Sequence, residues 1–186
     1  MRILLLLLLS FCVQAADNTI YIEQTGSGNT FVITQEGTGH SATITTGTSS
    51  DVDYSYFTIT QQGTGAKLAN ISMPSGINNT ITIGQDGSGN HIANIQNLNG
   101  SGNNISISQT GNASHEFNVV GSNGSTNNGN TLNATQSGNA AKWFTLTLNG
   151  ATGANVTVQQ TSNTTSDQAS MNINCNSCGN WSYVKF

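Results

Sequence analysis

Residues 81–87 have the sequence ITIGQDG, and the order of apolar and polar residues in this stretch recurs along most of the chain. The shared pattern is apolar, any, apolar, any, Gln, any, Gly. It occurs at residues 20–26, 57–63, 81–87 and 105–111, and in weaker form at residues 132–138 and 156–160. The later glutamines follow one another at spacings of 24, 24, 27 and 24 residues, at Gln61, Gln85, Gln109, Gln136 and Gln160. Self-similarity at this period is typical of a solenoid.

Within each unit the alternation has a period of two, so the two apolar side chains and the glutamine point to one face of a strand. A glycine-rich turn follows, for example at residues 26–28 or 87–89, where glycines adopt positive φ without penalty. The alternation then resumes and predicts two sets of residues that each share one face: Asn29, Phe31, Ile33 and Gln35, and further along Asn139, Ala141, Trp143 and Thr145. The second set predicts that Lys142 points outward.

Each unit is therefore predicted to form a strand, an arch and a second strand, after which a return segment leads to the next level. The return segments, at residues 46–53, 73–78, 97–103 and 121–129, are rich in small polar residues and differ in length. Levels stacked about 4.8 Å apart would make two parallel, in-register sheets that face each other across a core about 10 Å thick. The predicted fold is an all-β, amyloid-like β-solenoid of about six to seven levels.

Amide side chains that recur at one position can donate to one neighbouring level and accept from the other, and such a ladder fixes the register. The candidate ladder residues are Gln24, Asn29, Gln35, Gln61, Gln85, Asn90, Gln96, Gln109, Gln136, Asn139 and Gln160. The candidate turn glycines are Gly26, Gly37, Gly63, Gly87, Gly111 and Gly138.

The N-terminus has the pattern of a secretory signal peptide: a charged start at Arg2, an apolar run from Ile3 to Leu9 and a small residue at Ala15. We expect cleavage after Ala15, which assigns residues 1–15 to the signal and residues 16–174 to the repeats. Cys12 would leave with the signal; an alternative lipid anchor at Cys12 is disfavoured because bulky Phe11 precedes it. The mature protein is expected to be secreted.

The segment from Gln24 to Gln35 resembles the curlin repeat, Gln-x-Gly-x-x-Asn-x-Ala-x-x-x-Gln, with Phe31 at the alanine position. The segment from Gln85 to Gln96 is similar to the same pattern. The resemblance implies a self-polymerising subunit of bacterial surface fibres that serve the biofilm matrix and adhesion. It also implies a nucleator subunit and an outer-membrane secretion pore as partners. Because the first repeat begins at Ile20 without a preceding Gly/Asn-rich targeting stretch, the route of export and the choice between major subunit and nucleator stay open.

Charge and motif content disfavour other functions. Only 6% of residues are charged, and the mature chain would carry three lysines against eight acidic residues, a net charge of −5. Nucleic-acid binding requires clustered Lys and Arg, so it is not expected. Ser114, His115 and Glu116 have the residue types of a catalytic triad, but consecutive strand residues point to opposite faces and cannot relay a proton. His40 and His91 are interpreted as isolated polar positions in the arches, and neither an enzyme nor a cofactor is expected.

The end of the chain leaves alternatives open. Cys175 and Cys178 have the spacing of a clasp disulfide, of half a zinc site or of two free thiols, and an oxidising compartment favours the disulfide. Residues 175–186 are expected to form a clasp or closing strand. An alternative function is a non-polymerising surface-recognition solenoid, ice-binding or adhesive, with outward threonines in segments such as residues 43–45 and 58–60.

Overall fold

The computed structural model describes residues 17–122 and 124–186, and the predicted signal peptide lies outside the described residues. The described chain consists of β-strands joined by tight arches and longer return segments. The strands are β1 (Thr19–Gln24), β2 (Thr30–Gly37), β3 (Ser41–Thr46), β4 (Val52–Asp53), β5 (Tyr56–Gly63), β6 (Lys67–Met73), β7 (Gly76–Ile77), β8 (Thr80–Asp86), β9 (His91–Gln96), β10 (Asn104–Thr110), β11 (His115–Gly121), β12 (Thr131–Ser137), β13 (Lys142–Leu148), β14 (Asn155–Gln160), β15 (Asp167–Ile173) and β16 (Asn180–Lys185).

These strands form two seven-stranded sheets, and every pairing is parallel. The first sheet has the order β1-β3-β6-β9-β11-β13-β15, and the second has the order β2-β5-β8-β10-β12-β14-β16. The two-residue strands β4 and β7 pair with each other within the return segments. Each turn of the chain contributes one strand to each large sheet, so the described residues form a β-solenoid of seven turns, and the predicted fold class is confirmed.

The register places equivalent residues of successive repeats on top of one another. Ile83 of β8 lies between Ile59 and Ile107, and the glutamines two residues later are stacked in the same way. The 27-residue step does not disturb this register, because β10 and β12 still pair in phase at Gln109 and Gln136. The return segment at residues 122–130 absorbs the three extra residues.

The core lies between the inner faces of the two sheets. Alternate residues of the central strands are buried, as in β6, where every odd position is buried and every even position is partly exposed. Columns of Ile, Val, Leu, Ala and Phe fill this space, and stacked phenylalanines occur at two places, with ring centroids 5.0 Å apart for Phe31 and Phe57 and 5.3 Å apart for Phe117 and Phe144. No helix in the described residues has the length and apolar character needed to cross a membrane.

The prediction that Lys142 points outward is wrong. Lys142 is fully buried and begins the inner face of β13, whereas Trp143 is exposed and Phe144 enters the core. Pairing with β11 sets this phase, because Lys142 aligns with His115 and Phe144 aligns with Phe117. In this register the Phe117 and Phe144 rings stack in the core with their centroids 5.3 Å apart.

Candidate functional site

A glutamine ladder runs along the inner face of the second sheet, close to the ends of its strands. The side-chain Nε2 of each glutamine donates to Oε1 of the next one, at distances from 2.7 to 2.9 Å. The members are Gln35, Gln61, Gln85, Gln109, Gln136 and Gln160, and all except Gln35 are buried. An unpaired buried amide is costly, so the ladder ties each turn to its neighbours in one register.

The second Nε2 hydrogen of each ladder glutamine crosses to the first sheet. Gln85, for example, donates to the Leu68 carbonyl at 3.1 Å, and Gln109 donates to the Ile92 carbonyl at 2.8 Å. Because each side chain binds both the next turn and the opposite sheet, the ladder links successive turns along the axis and also links the two sheets across the core.

Two of the predicted ladder glutamines lie elsewhere. Gln24 ends β1 in the first sheet, is exposed, and donates to the Gly26 carbonyl at 3.0 Å. Gln96 ends β9, also in the first sheet, and is exposed. The ladder position in the first repeat belongs to Gln35, because the arch after Gln24 leads from the first sheet to the second, whereas the arch after Gln85 leads from the second sheet to the first.

The three predicted asparagines bind the main chain or, in one case, a neighbouring asparagine. Asn29 accepts from the Ser55 amide at 2.9 Å, and Asn90 accepts from the Ala66 amide at 3.0 Å. Asn139 is exposed and accepts from the Asn112 side chain. These contacts brace adjacent arches and lie outside the glutamine ladder.

A second ladder, of asparagines, continues a column that begins with Asn29 and Ser55, and Asn29 is its one member among the predicted ladder residues. Asn79, Asn103 and Asn130 are buried just before β8, β10 and β12; Nδ2 of Asn103 donates to Oδ1 of Asn79, and Nδ2 of Asn130 donates to Oδ1 of Asn103, both at 3.0 Å. The same side chains bind main-chain groups of the neighbouring return segments, such as the Asn127 carbonyl at 2.8 Å. Each of them stands six residues before a ladder glutamine, and that constant spacing is the feature by which the sequence could have identified them.

Five of the turn glycines, Gly37, Gly63, Gly87, Gly111 and Gly138, form a third column, whereas Gly26 lies against Val52 in the connection from β1 to β2. All six predicted glycines have positive φ, from 99° to 128°. At Gly87 a Cβ atom would lie 2.3 Å from the Gly111 carbonyl oxygen of the next turn, and the other members of the column are similarly close to main chain. Side chains are therefore excluded at these positions both by backbone conformation and by the stacking distance.

A column of basic residues, which we call the basic column, occupies the first inner position of the first-sheet strands. It consists of His40, Lys67, His91, His115 and Lys142, each at most 1% exposed. The interpretation of the histidines as isolated polar positions is therefore wrong. Lys67, His91, His115 and Lys142 each stand four residues after a turn glycine, which is a regularity that the sequence contains.

The arches explain why basic residues are buried there. Their carbonyl groups point inward and require donors: Lys67 Nζ donates to the carbonyls of Gly65, Gly87 and Gly89 at 2.8 to 2.9 Å. Lys142 Nζ donates to the Ala140 and Thr165 carbonyls. Burial lowers the pKa of both lysines, and the carboxylates of Asp86 and Asp167 respectively oppose that shift.

The C-terminal turn has its own features. Asp167 follows Lys142 in register, and its carboxylate accepts from Gln160 Nε2 at 2.7 Å and from the Tyr183 hydroxyl at 2.9 Å. Cys175 and Cys178 form a disulfide in the arch between β15 and β16, with Cα atoms 5.6 Å apart. Among the described residues, no three His, Cys, Asp or Glu side chains lie together in a way that could hold a metal ion.

The two ends of the solenoid expose strand edges. β1 and β2 pair on one side only, with β3 and β5, and at the other end β15 and β16 pair only with β13 and β14. Inner residues are consequently exposed at both ends, including Ile20 (53%) and Ile22 (41%) at the first turn and Trp181 (41%) at the last. Within the described residues no helix or loop covers either edge.

These features define the class of protein: it is a parallel, in-register β-solenoid with stacked amide ladders and with exposed strand edges at both ends. Residues 15–47 match the family described as Curlin associated repeat. This match agrees with the predicted resemblance over residues 15–47, and proteins of that family are structural, extracellular and self-assembling. No curated protein and no solved structure gives a significant match to the chain.

Proposed function

We propose that the chain is a structural subunit of extracellular, curli-type amyloid-like fibres and polymerises head to tail. The observation that carries this proposal is the pair of bare ends, whose exposed inner residues continue the same columns. A strand edge with unpaired N–H and C=O groups is a template for another strand, and soluble solenoids ordinarily cap it.

The residues at the two ends are complementary when a second copy is added in register. The column that begins with Ile22 ends with Met171, and the column that begins with Phe31 ends with Trp181. Stacking the last turn of one copy on the first turn of the next would therefore bury apolar side chains against apolar side chains.

The glutamine ladder gives this junction a direction. Oε1 of Gln35 accepts no hydrogen bond among the described residues, and Lys185 occupies the ladder position after Gln160. In a head-to-tail stack the Lys185 ammonium would lie in register with Gln35 of the next copy, where it can donate to the open Oε1. A head-to-head stack would leave both groups without these partners.

The energetics of such a junction are favourable. Two new strand pairings would make roughly ten main-chain hydrogen bonds, at about 1 kcal/mol net each. Burial of the exposed apolar side chains adds to this, and the sum competes well with an association cost of about 4–15 kcal/mol. The proposed roles in biofilm matrix and adhesion, with a nucleator subunit and an outer-membrane secretion pore as partners, follow from the family and stand as parts of the same proposal.

The first prediction tests polymerisation directly. Purified chain from residue 16 to residue 186 at micromolar concentration is expected to form unbranched fibres, because each added copy creates a new bare edge. Fibre diffraction should give a meridional spacing of about 4.7–4.8 Å, and growth should be accelerated by preformed seeds. A folded β-rich monomer that persists for days by light scattering would contradict the proposal.

That outcome would favour a solenoid that recognises a surface. Outward threonines do stack at some levels of the second sheet, for example Thr58 on Thr82, but the same column continues with Ser106 and Asn133. The threonine ranks are thus interrupted, which is why fibre formation is the better-supported function. Freezing hysteresis of the soluble chain would test the ice-binding alternative.

A further inference from the structure

The centre of the basic column contains two histidines between two lysines. The order along the solenoid axis is Lys67, His91, His115 and Lys142, in consecutive turns. The two imidazole rings are stacked with their centroids 4.9 Å apart and their planes within 8° of parallel. Neither the glutamine ladder nor the bare ends involve these residues, so the proposed fibre function leaves them unexplained.

Hydrogen bonds fix the protonation of the two rings. Nε2 of His91 lies 2.9 Å from the Asp86 carbonyl oxygen, and Nε2 of His115 lies 3.1 Å from the Thr110 carbonyl oxygen. A carbonyl only accepts, so Nε2 carries the hydrogen and Nδ1 of the neutral ring is bare. Both Nδ1 atoms are buried without a hydrogen-bond partner among the described residues. Main-chain groups of Ser114 and Gly138 favour the protonated form of His115 and only partly offset the effect of burial on its pKa.

The charges around the pair oppose protonation. Facing His91 are the Lys67 ammonium on β6, the His115 ring on β11 and, as the single acidic group, the Asp86 carboxylate at the end of β8. Facing His115 are the His91 ring on β9 and the Lys142 ammonium on β13, while β10 and the arch after β12 contribute main-chain groups. Protonation of both rings would place four cations in consecutive turns, about 4.8 Å apart, in a dry interior.

We propose that the stacked pair of His91 and His115 is an acid-sensitive joint that holds the central turns of the solenoid together at neutral pH and opens them in mild acid. The consequence for fibres rests on the proposed function, whereas the effect on folding of the chain does not. Such a joint would keep the chain unfolded in an acidic setting and allow it to fold and assemble on neutralisation.

The sign of the effect follows from the direction of the shifts. Burial, with smaller contributions from neighbouring charges, lowers the pKa of His91 from 6.5 to about 4, and burial also lowers the pKa of His115. As the pH falls through 6.5 the unfolded chain takes up protons that the folded chain refuses. The stability is therefore complete above pH 6.5 and declines down to about pH 4. For His91 alone the unfolding constant is expected to rise by about 80-fold between pH 6.5 and 4, and by about 300-fold in total from well above pH 6.5 to well below pH 4.

The test measures urea unfolding of freshly prepared chain (residues 16–186) by circular dichroism, before fibres form, at pH values from 7.5 to 4. The test variant is the double substitution His91→Asn and His115→Asn. Asparagine suits this position, because Asn18 occupies it in the first turn and donates Nδ2 to the Gly37 carbonyl at 3.1 Å. In the double variant, the acid-induced rise of the unfolding constant between pH 6.5 and 4 should be at least tenfold smaller than in the native chain.

The matched control is His40→Asn, which changes the same column position but leaves the stacked pair intact. This variant should keep most of the acid-induced decline. An equal decline in the double variant and in the native chain would overturn the proposal, because it would assign the acid sensitivity to other groups.

A measurement on the native chain decides the matter if the double variant fails to fold. Nitrogen-15 NMR of the histidine rings should show a protonated Nε2 and a bare Nδ1 for His91 and His115 at pH 7, and the same state at pH 5.5. Ordinary protonation of both rings near pH 6.5 would overturn the proposal. Failure of fibre formation alone would leave both measurements valid, so the two proposals fail separately.

Discussion

At the scale of single residues, this fold depends on ladder glutamines and buried lysines whose donor groups are paired. A ladder glutamine such as Gln109 accepts from one turn, donates to the next, and donates again to the opposite sheet. The buried ammonium of Lys67 is likewise satisfied by three carbonyl groups. Because each such group is fully paired, a chain with few charges and many amides can bury polar atoms in its core without a large penalty.

The ladder is tested by replacing Gln85 and Gln109 together with leucine. The change removes the acceptor of Gln61 Nε2 and the donor to Gln136 Oε1, and each buried group left unpaired costs about 1–3 kcal/mol. We expect a lower urea midpoint and slower growth from preformed seeds. The matched control is Gln96→Leu at an exposed position of the first sheet, which should grow at the native rate. Equal growth rates of the native chain, the double leucine variant and Gln96→Leu would show that the glutamine ladder does not set the register.

At the scale of strands and arches, the sequence predicted much of the structure. Period-two alternation located the strands, and the 24-residue spacing of glutamines predicted the parallel, in-register stacking. The phase of individual strands was harder to predict, as Lys142 and Trp143 show, because it depends on which residues of the neighbouring turn align. The Gln-x-Gly motif begins arches on both sides of the solenoid, so spacing alone could not tell that Gln24 belongs to the first sheet and Gln85 to the second.

The arches are tested by a pair of glycine substitutions three residues apart. Gly87→Ala introduces a Cβ at φ +107°, 2.3 Å from the Gly111 carbonyl oxygen, and should destabilise the chain by about 2 kcal/mol or more. Gly84→Ala adds a methyl group on the outer face of β8, where no atom lies within 4 Å, and should be neutral or slightly stabilising. Thermal unfolding of the two variants measures the difference. Similar melting temperatures of the two variants would show that close stacking of the turns does not exclude a side chain at Gly87.

At the scale of the whole molecule, the solenoid resembles a short section cut from a continuous stack. Its apolar inner columns begin and end with apolar residues, such as Ile22 and Met171, and these exposed residues differ from internal ones mainly by lacking a neighbour. The C-terminal end alone adds charge to two columns, through Asp167 and Lys185. These charges distinguish the two ends from each other, so a fibre built from this chain would be polar.

Substitutions at the first turn separate folding of one copy from joining of two. Ile22 points inward but is 41% exposed because no turn covers it, and in a fibre it would lie against Met171 of the preceding copy. Ile22→Lys should therefore leave the isolated chain folded, since the ammonium can reach water, while burial of an unpaired charge at the junction should slow elongation by at least a hundredfold.

Tyr21→Lys provides the matched control, because Tyr21 is also exposed (55%) on the same strand but points outward and stays in water in the fibre. Circular dichroism should show native-like β-structure for both variants, and sedimentation after seeding should find Ile22→Lys in the supernatant and Tyr21→Lys in the pellet. The two introduced lysines differ in the face of β1 that carries them. Comparing the two variants therefore tests whether the inner columns of one copy continue into the next copy. Fibres formed by Ile22→Lys at the native rate would show that the first turn does not receive the last turn of another copy.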